Sequence, residues 1–416
     1  MPEKPPVVSL QAARRLAIAK QRLDGRRASR PSREAIVELV RSLPYVQWDP
    51  VSVVAPSHLL SLWARLGAFA PAELERLLWQ EKRLFLHWTP IASLVAMDDF
   101  PLYASLMRRY PDSLSSSWGS HRTRAREYLA RHASLRRTML RELEGGPLTL
   151  AGFGDHGRTR RAHEEWAPSS DVAQMLHHLL MSGDIMVVGH EGNQNLWGLA
   201  SRFLPPQVDR RELSEKEVDR EAAERALLGL GVARPDEVAY YFVRGRYRDV
   251  RRTLAALEDA GRVQRVQLEG AKAHDTVYVH RDDLALLDRL ETQRPEARVA
   301  ILPPFDNLVY HPARGRRLFA FDYVREQFLP KEKRRFGLWV LPLVYGERFV
   351  GRLDTRLDKE RGILRVNAVF AERGAPTDRA VAVAIREEID RLAEFLGAGV
   401  VAFGSRVPAA WRPSLH

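Results

Sequence analysis

Two stretches of the chain follow the same order of helical and extended patterns, although their residues differ. The first reads DVAQMLHHLLMSGDIMVVGHEGNQNLWGL (171–199) and the second reads DVRRTLAALEDAGRVQRVQLEGAKAHDTVYV (249–279). Each begins with an amphipathic helix that a glycine can close, Gly183 or Gly261, and continues with two short strands around a glycine-bearing polar turn. A shorter helical segment precedes each copy. Helix, turn, helix and a two-stranded wing predict a tandem array of winged helices.

The main helix of the second copy has an apolar face and a basic face. Its apolar stripe at helical spacing consists of Val250, Leu254 and Leu257. The residues that this spacing leaves outward are three arginines: Arg248, Arg251 and Arg252. Such a face suits the major groove of DNA or a row of phosphates. The alternative is a solvated basic helix on a winged helix that serves only for packing.

Regular patterns also fill the two ends of the chain. In SREAIVELVRSL the apolar spacing is helical, with Ser32 placed as the N-cap. The later stretch GLWVLPLVYGERFVGRLDTRLDKERGILRVNAVF contains three strand-like runs, which predict an antiparallel meander or small barrel. An amphipathic helix follows, from Thr377 to Gly397. The predicted fold is therefore α+β: tandem winged-helix (helix-turn-helix) domains with a small C-terminal antiparallel β-barrel and a terminal helix.

The length of the chain and these changes of pattern divide it into four segments. A chain of 416 residues is long for a single core, since a domain holds roughly 100–200 residues. We expect an N-terminal helical or winged-helix domain (1–130), a second winged helix (131–208), a third winged helix (209–296), and the barrel with its helix (297–416).

The charge balance is strongly basic. Lys and Arg number 65 against 53 Asp and Glu, for a net charge of +12 and a pI near 10.1. This excess favours phosphate-rich partners, nucleic acid above all, although an Arg-rich proteome would give the same balance. The absence of cysteine excludes disulfides, thiolate nucleophiles and cysteine-ligated metals. The chain shows neither a signal-peptide core nor a membrane-spanning run, so we expect a cytoplasmic protein.

The stretch LPYVQWDPVSVV (43–54) carries two polar side chains two positions apart, Gln47 and Asp49. Pro44 discourages continuation of the preceding helix and Pro50 disfavours the α conformation at Asp49, so we expect extended backbone here. In extended chain both polar side chains face one way and their apolar neighbours face the core. An amide can orient a water, and a carboxylate can accept its proton or stabilise a cation, as hydrolysis of a glycosidic bond requires. The alternative is that Asp49 caps a helix that starts at Pro50.

Five segments together resemble a known family. They are SLQAARRLAIAKQRL, VQWDPVSVVAPSHLLSLWARLG, PPFDNLVY, RRLFAFDY and KRRFGLWVLPLVYGERFVGRLD. In this order, over nearly the whole chain, they resemble the AlkZ/YcaQ-type winged-helix DNA glycosylases, and Gln47-Trp48-Asp49 resembles the Gln-x-Asp branch of that family. The resemblance implies tandem winged helices and a small β-barrel around a cleft for damaged DNA. It also implies a monofunctional enzyme that excises N7-alkylated purines and unhooks interstrand crosslinks.

The resemblance also implies roles for individual residues. Gln47 positions the attacking water, and Asp49 activates it or stabilises the sugar cation. The partner is then double-stranded DNA with alkylated or crosslinked purines, and neither a metal nor another cofactor is expected. We further expect a monomer that is associated with the nucleoid.

The chain departs from the family pattern at two places. Many members have a Trp-x-His stretch where this chain has Trp88 followed by Thr89 and a proline, with His87 directly before. The stretch PPFDN stands where Ser-Pro-Phe-Asp-Pro is usual. Both departures concern the substrate range and the details of the pocket more than the fold.

Six further residues are candidates for binding DNA or lining the pocket, and each has a structural alternative. They are His58, Trp88, Asp306, Arg334, Arg335 and Arg352. His58 and Trp88 could pack in the core, Asp306 could cap a turn, and the arginines could be ordinary strand-surface charge.

Two other functions remain open at this stage: a non-catalytic winged-helix DNA-binding protein, such as a transcriptional regulator, and a nuclease. A regulator would bind duplex DNA selectively, as a symmetric dimer, and would release no base. A nuclease would need a cluster of carboxylates or histidines around a metal ion. The thirteen histidines show no such pattern along the sequence.

Overall fold

The structure is a computed structural model of the chain, and it describes residues 4–25, 27, 31–89, 91–154, 170–271 and 275–415. Its α-helices are α1 (Leu10–Lys20), α2 (Arg33–Ser42), α3 (Ser57–Leu66), α4 (Pro71–Glu75), α5 (Phe100–Arg108), α6 (Gly119–Arg131), α7 (Ala133–Glu144), α8 (Asp171–Ser182), α9 (Ala200–Phe203), α10 (Glu215–Leu230), α11 (Pro235–Tyr241), α12 (Val250–Asp259), α13 (Leu284–Thr292), α14 (Pro312–Phe319), α15 (Arg379–Phe395) and α16 (Arg412–Leu415). A π-helical turn, Arg76–Gln80, continues α4. None of the helices described is both long and apolar enough to cross a membrane.

The strands form several small sheets. They are β1 (Val7–Val8), β2 (Val46–Gln47), β3 (Leu84–Trp88), β4 (Ala92–Ala96), β5 (Ile185–Glu191), β6 (Gln194–Leu199), β7 (Val232–Ala233), β8 (Val263–Leu268), β9 (Thr276–His280), β10 (Val299–Ile301), β11 (Val340–Tyr345), β12 (Arg348–Asp358), β13 (Ile363–Ala371) and β14 (Val400–Arg406). The sheet orders are β1-β8-β9-β7, β10-β11-β12-β13-β14, β2-β4-β3 and β5-β6. The fold is therefore mixed α+β, as predicted.

The N-cap predicted for α2 and the closing glycine predicted for α8 are confirmed. Ser32 lies in extended backbone before α2, and its side-chain oxygen accepts a hydrogen bond from the Ala35 N–H at 3.2 Å. Gly183 ends α8 in the left-handed conformation, with φ +74°. A serine oxygen satisfies a free N–H at a helix start, and glycine adopts positive φ without a steric cost, so both ends follow from local chemistry.

The two repeated stretches have the predicted order of helices and strands. The first contains α7, α8 and the β5–β6 hairpin, and the second contains α11, α12 and the β8–β9 hairpin. The second copy is also joined by α10 and by β7, which pairs with β9. On α12 the apolar stripe is buried as predicted at Leu254 and Leu257, and Val250 is half-buried. All of its outward-facing arginines are exposed: Arg248, Arg251 and Arg252.

The prediction of a closed antiparallel barrel at the C-terminal end is wrong. The three predicted strands exist as β11, β12 and β13 and pair antiparallel, and β10 extends them on one side. The long helix α15 is followed by β14, which pairs parallel with β13. A helical crossover of this kind brings the next strand in parallel. The five strands therefore form an open, mixed sheet with β10 and β14 at its edges.

Two buried apolar clusters meet at β2, the strand that carries Gln47. The first cluster runs from Val8 to Leu415 and includes Val46, and the second joins Tyr45 to residues of α5, α10, α11 and α12. Strand β1 also pairs with β8, so the chain start is hydrogen-bonded to a segment more than two hundred residues away. Both apolar clusters and the β1–β8 pairing thus join residues from different predicted segments. The division into four segments stays a prediction.

Candidate active site

Strand β2 fixes the backbone at Gln47 in the extended conformation predicted for it. Gln47 pairs with Ser93 of β4, and Val46 pairs with Leu94. The N–H of Trp48 donates to the carbonyl of Ala92 at 2.8 Å, which continues the pairing by one residue. Side chains alternate along such a strand, so Gln47 and Trp48 lie on opposite faces.

Gln47 belongs to a row of polar residues across the sheet. Ser93 lies opposite Gln47 on one side and opposite His87 of β3 on the other. Residues that are directly opposed in antiparallel strands point to the same face. Gln47 Oε1 and His87 Nδ1 are both buried, and neither atom has a hydrogen-bond partner among the residues described. Buried polar atoms are nearly always hydrogen-bonded, so this row has capacity to bind a water or a substrate atom.

Asp49 does not cap a helix, so that alternative is wrong. Helix α3 begins only at Ser57, and Pro50 to Pro56 form an irregular loop. One carboxylate oxygen of Asp49 accepts the Val51 N–H at 3.0 Å, and the Asp49 carbonyl accepts the Ser57 N–H at 3.2 Å. The side chain is 9% exposed. Burial raises the pKa of the Asp49 carboxyl, and the hydrogen bond from Val51 opposes this rise.

Trp48 is half-buried against the main apolar cluster, and its ring forms one half of an aromatic stack. Its ring lies parallel to His58, with centroids 3.9 Å apart and an interplanar angle of 12°. His58 is buried, and burial lowers its pKa to about 3, so the imidazole is neutral. His190 also contacts this stack, with its ring centroid 6.0 Å from that of Trp48, and it pairs with Glu75 at 3.0 Å. His58 is therefore placed as a packing partner of the residue between Gln47 and Asp49.

Trp88 lies at the end of β3 and is 41% exposed, so the expectation that it is buried in the core is wrong. Its ring meets His177 edge-on, with centroids 5.3 Å apart. The next residue, Thr89, is buried, and its hydroxyl accepts the Val243 N–H at 3.2 Å. Pro90 lies outside the described residues. Burial, with smaller contributions from Arg246 and His177, lowers the pKa of His87 to about 3, so this histidine is also neutral.

Asp306 is not a pocket residue, because its side chain is entirely buried and fully used. It pairs with Arg65 through both oxygens, at 2.6 and 3.0 Å, and accepts hydrogen bonds from Ser61 Oγ and the Leu308 N–H, each at 3.0 Å. The neighbouring residue supports the site instead. Asn307 Nδ2 donates to the carbonyl of Tyr45 at 2.8 Å, which ties this loop to the segment that enters β2.

The three arginines near the C-terminal sheet have different environments. Arg352 is 5% exposed, pairs with Glu372, and lies over the Phe336 ring at 4.2 Å, so its assignment to phosphate contact is wrong. Arg334 is half-buried and its Nε donates to the carbonyl of Leu329 at 2.9 Å. Arg335 is exposed and remains available. Sequence position alone could not separate these three, because burial depends on the strands that pack around them.

The arginines of α12 lie on a different element from β2. Arg248 precedes the helix and pairs with Glu215, whereas Arg251 and Arg252 are exposed. The segment just before α12 reaches the sheet through the bond between Val243 and Thr89. The described ranges contain no group of three or more His, Asp or Glu side chains that could hold a metal ion.

His87 and Ser93 were missed as site residues by reading the sequence. The register of β2, β4 and β3 brings them into line with Gln47, and a register between separated strands leaves no local signature. The only available signal was the position of His87 immediately before Trp88.

Comparisons with known proteins identify the family of the chain. The family model described as "DNA glycosylase AlkZ-like" matches residues 40–395, which include the Gln-x-Asp stretch and most of the fold. Among solved structures, the chain is similar to the Streptomyces sahachiroi DNA glycosylase AlkZ, with a TM-score of 0.65 and 18% sequence identity over 96% of this chain and 99% of that one. At this identity the structural likeness shows the fold alone, and the family model carries the assignment. The chain belongs to the AlkZ-like DNA glycosylase family.

Proposed function

We propose that the protein is a monofunctional glycosylase that hydrolyses the N-glycosidic bond of N7-alkylated purines in double-stranded DNA and unhooks interstrand crosslinks. The observation that carries this proposal is that the side chains of Gln47 and Asp49 have polar atoms available for binding. The amide oxygen of Gln47 is buried without a hydrogen-bond partner, and two positions on, Asp49 has no ion-pair partner in the described part of the chain. An amide acceptor without a partner and a carboxylate held only by the Val51 N–H are the groups that an attacking water needs.

In the proposed mechanism Gln47 holds the water and Asp49 accepts its proton. The bond between C1′ and the base nitrogen breaks, the base leaves with the electron pair, and the water oxygen bonds to C1′ to give an abasic site. An N7-alkylated purine is cationic and leaves as a neutral molecule, so the leaving group needs no general acid. The carboxylate also stabilises the oxocarbenium-like transition state. Because burial raises its pKa, the Asp49 carboxylate is a stronger base than an exposed one.

Exposed basic and aromatic side chains support the DNA part of the proposal. We interpret α10–β9 and α7–β6 as winged helices, with the exposed Arg251 and Arg252 of α12 against a groove or phosphates. Trp88, exposed at the end of β3, offers a surface on which a base can stack. A solvent-open cleft would accept bulky or crosslinked lesions that a closed base-flipping pocket rejects. We propose that the protein acts as a monomer at the nucleoid.

The test is a gel assay on duplexes with one N7-methylguanine or one crosslink between N7 positions. We expect abasic-site formation on the first and separation of the strands on the second after heating, above the rate in buffer alone. An undamaged duplex should stay intact. Duplex binding without base release from either lesion would favour the regulator alternative and would overturn the proposed activity.

A further inference from the structure

A cavity of about 280 Å³ is rich in arginine, and none of the residues of the Gln47 row lines it. It opens between the end of α5, the loop that leads to α6, the start of α10 and the segment before α12. We call it the arginine cavity, after the three arginines in its wall that have no carboxylate within ion-pair distance in the described ranges: Arg109, Arg122 and Arg246. Arg248 of the predicted basic face also lines this cavity, but these three arginines were not among the candidates from the sequence.

Arg246 is the most deeply buried of the three. Its side chain is only 9% exposed, it donates to Ser113 Oγ, and its guanidinium lies 5.7 Å from the Tyr110 ring centroid. Burial lowers its pKa to about 10, so the group is still charged at neutral pH. A buried charge is costly unless it is paired. Among the described residues its guanidinium has one hydrogen-bond partner, a neutral hydroxyl, which leaves most of its N–H donors for an anion.

The other two arginines of the cavity use backbone carbonyls. Arg109 donates to the Leu213 carbonyl at 2.9 Å and Arg122 to the Leu114 carbonyl at 3.3 Å. Each such bond orients the guanidinium and takes up only one of its five N–H donors. All three arginines line one cavity, and guanidinium groups bind the oxygens of oxyanions through parallel N–H donors.

The acidic residues of the wall are already engaged. Asp112 pairs with Arg126, and Glu215 pairs with Arg248. Asp219 accepts the Arg248 N–H at 3.3 Å, and burial raises its pKa to about 6. Asp219 offsets part of the charge of Arg109, whereas Arg122 and Arg246 have no carboxylate within ion-pair distance in the described ranges.

The backbone at Gly245 holds Arg246 in place. Gly245 has φ +77°, and a Cβ there would lie 2.6 Å from the Trp118 ring, so no other residue fits. The Ser115 N–H donates to the Gly245 carbonyl at 2.8 Å. The same segment reaches the active-site sheet, because the Val243 N–H donates to Thr89, the residue after Trp88. The cavity is therefore fixed relative to the β3 edge of the sheet, and Gln47 lies on β2 at the other edge of the same sheet.

We propose that the arginine cavity binds a backbone phosphate of the DNA substrate, through residues that are not part of the Gln47 row. The inference rests on the proposed function only in taking DNA as the substrate. A phosphodiester presents two free oxygens and a single negative charge, and arginine forks bind such a group in a bidentate manner. Contacts of this kind fix the position of the duplex without reading its sequence.

The experiment measures binding of an undamaged duplex over a series of salt concentrations, so it is independent of base release. The variants are Arg246→Met and Arg122→Gln, and the matched control is Arg391→Gln, an exposed arginine of α15 that pairs with Glu387. Losing one phosphate contact should weaken binding at low salt by about tenfold and reduce the slope of log Kd against log salt by about 0.9. The control should change neither quantity. Arg122 lies on a surface helix, so its variant keeps the test valid if Arg246→Met fails to fold.

A second measurement replaces one phosphate at a time by an uncharged methylphosphonate. At one DNA position the methylphosphonate should weaken binding by the wild-type protein as much as the substitution Arg246→Met does. At that same position the methylphosphonate should not weaken binding by the Arg246→Met variant any further. The inference would be overturned if both arginine variants kept the wild-type salt slope. It would also be overturned if the affinity losses from the substitution and from the methylphosphonate added up at every DNA position. Stabilisation by inorganic phosphate that depends on Arg246, without any coupling to a DNA position, would identify a free-phosphate site and would also overturn it. If Arg246 is coupled to one DNA phosphate as expected but the protein releases no base, only the proposed function would be contradicted.

Discussion

The substitution Asp306→Asn should destabilise the fold strongly and leave the chemistry of the site intact. Asp306 and Arg65 are both fully buried, with side-chain exposures of 0%, and the aspartate forms two ion-pair contacts. Asparagine keeps the shape and the acceptor for the Leu308 N–H but leaves the Arg65 charge unpaired. Breaking a buried pair in this way costs about 3–5 kcal/mol. Such a loss is a large part of the roughly 5–15 kcal/mol that holds a typical domain folded.

The assay is urea denaturation followed by tryptophan fluorescence, in which a lower midpoint at constant slope reports a loss of stability. The matched control is Asp390→Asn, because Asp390 forms an exposed pair with Arg386 at 2.9 Å. An exposed pair contributes about 0–1 kcal/mol, so the control midpoint should barely move. Base release per folded molecule should stay close to the wild-type value, because Asp306 lies outside the proposed chemistry. Equal unfolding midpoints for the two variants would contradict the stabilising role of Asp306. Loss of base release at unchanged stability would indicate that Asp306 acts in the pocket.

Three further predictions concern the residues around Gln47. Because burial raises the pKa of Asp49, the ionised carboxylate destabilises the fold, and Asp49→Asn should become more stable than wild type as the pH rises above the ordinary aspartate pKa. Thermal unfolding at several pH values measures this difference. Equal stability of the two proteins at every pH would contradict the prediction. Trp48→Ala uncovers His58, so the His58 pKa should rise from about 3 towards its ordinary value in an NMR titration; an unchanged pKa would show that the stack is not what excludes water. Trp88→Ala should weaken DNA binding by about 1–3 kcal/mol, as the loss of one stacked base does, with no change in unfolding midpoint; unchanged affinity would remove Trp88 from the interface.

Local chemistry made several features of the fold predictable. Ser32 caps α2, Gly183 closes α8, and the buried and exposed faces of α12 follow its spacing, because each of these depends on residues within a few positions of one another. The two prolines around the motif likewise indicated extended backbone at Gln47.

Features that depend on distant partners were not predictable. The barrel prediction failed because β14 returns through α15 to the β13 edge, and strand periodicity says nothing about sheet closure. Arg352 and Asp306 read as polar loop or strand residues, yet both are buried in ion pairs whose partners lie 20 or more positions away. The row that joins Gln47 to His87 depends on register across three strands.

The central claim is that Gln47 and Asp49 handle the attacking water. The measurement that tests it most directly is single-turnover base release from an N7-methylguanine duplex by Gln47→Ala and Asp49→Asn, with duplex affinity measured in parallel. Asp49→Asn preserves the acceptor for the Val51 N–H, so it removes the charge without opening the loop. We predict that each variant binds DNA as the wild type does and releases base about 10²-fold more slowly or worse. Base release at the wild-type rate by either variant would contradict the role given to that residue.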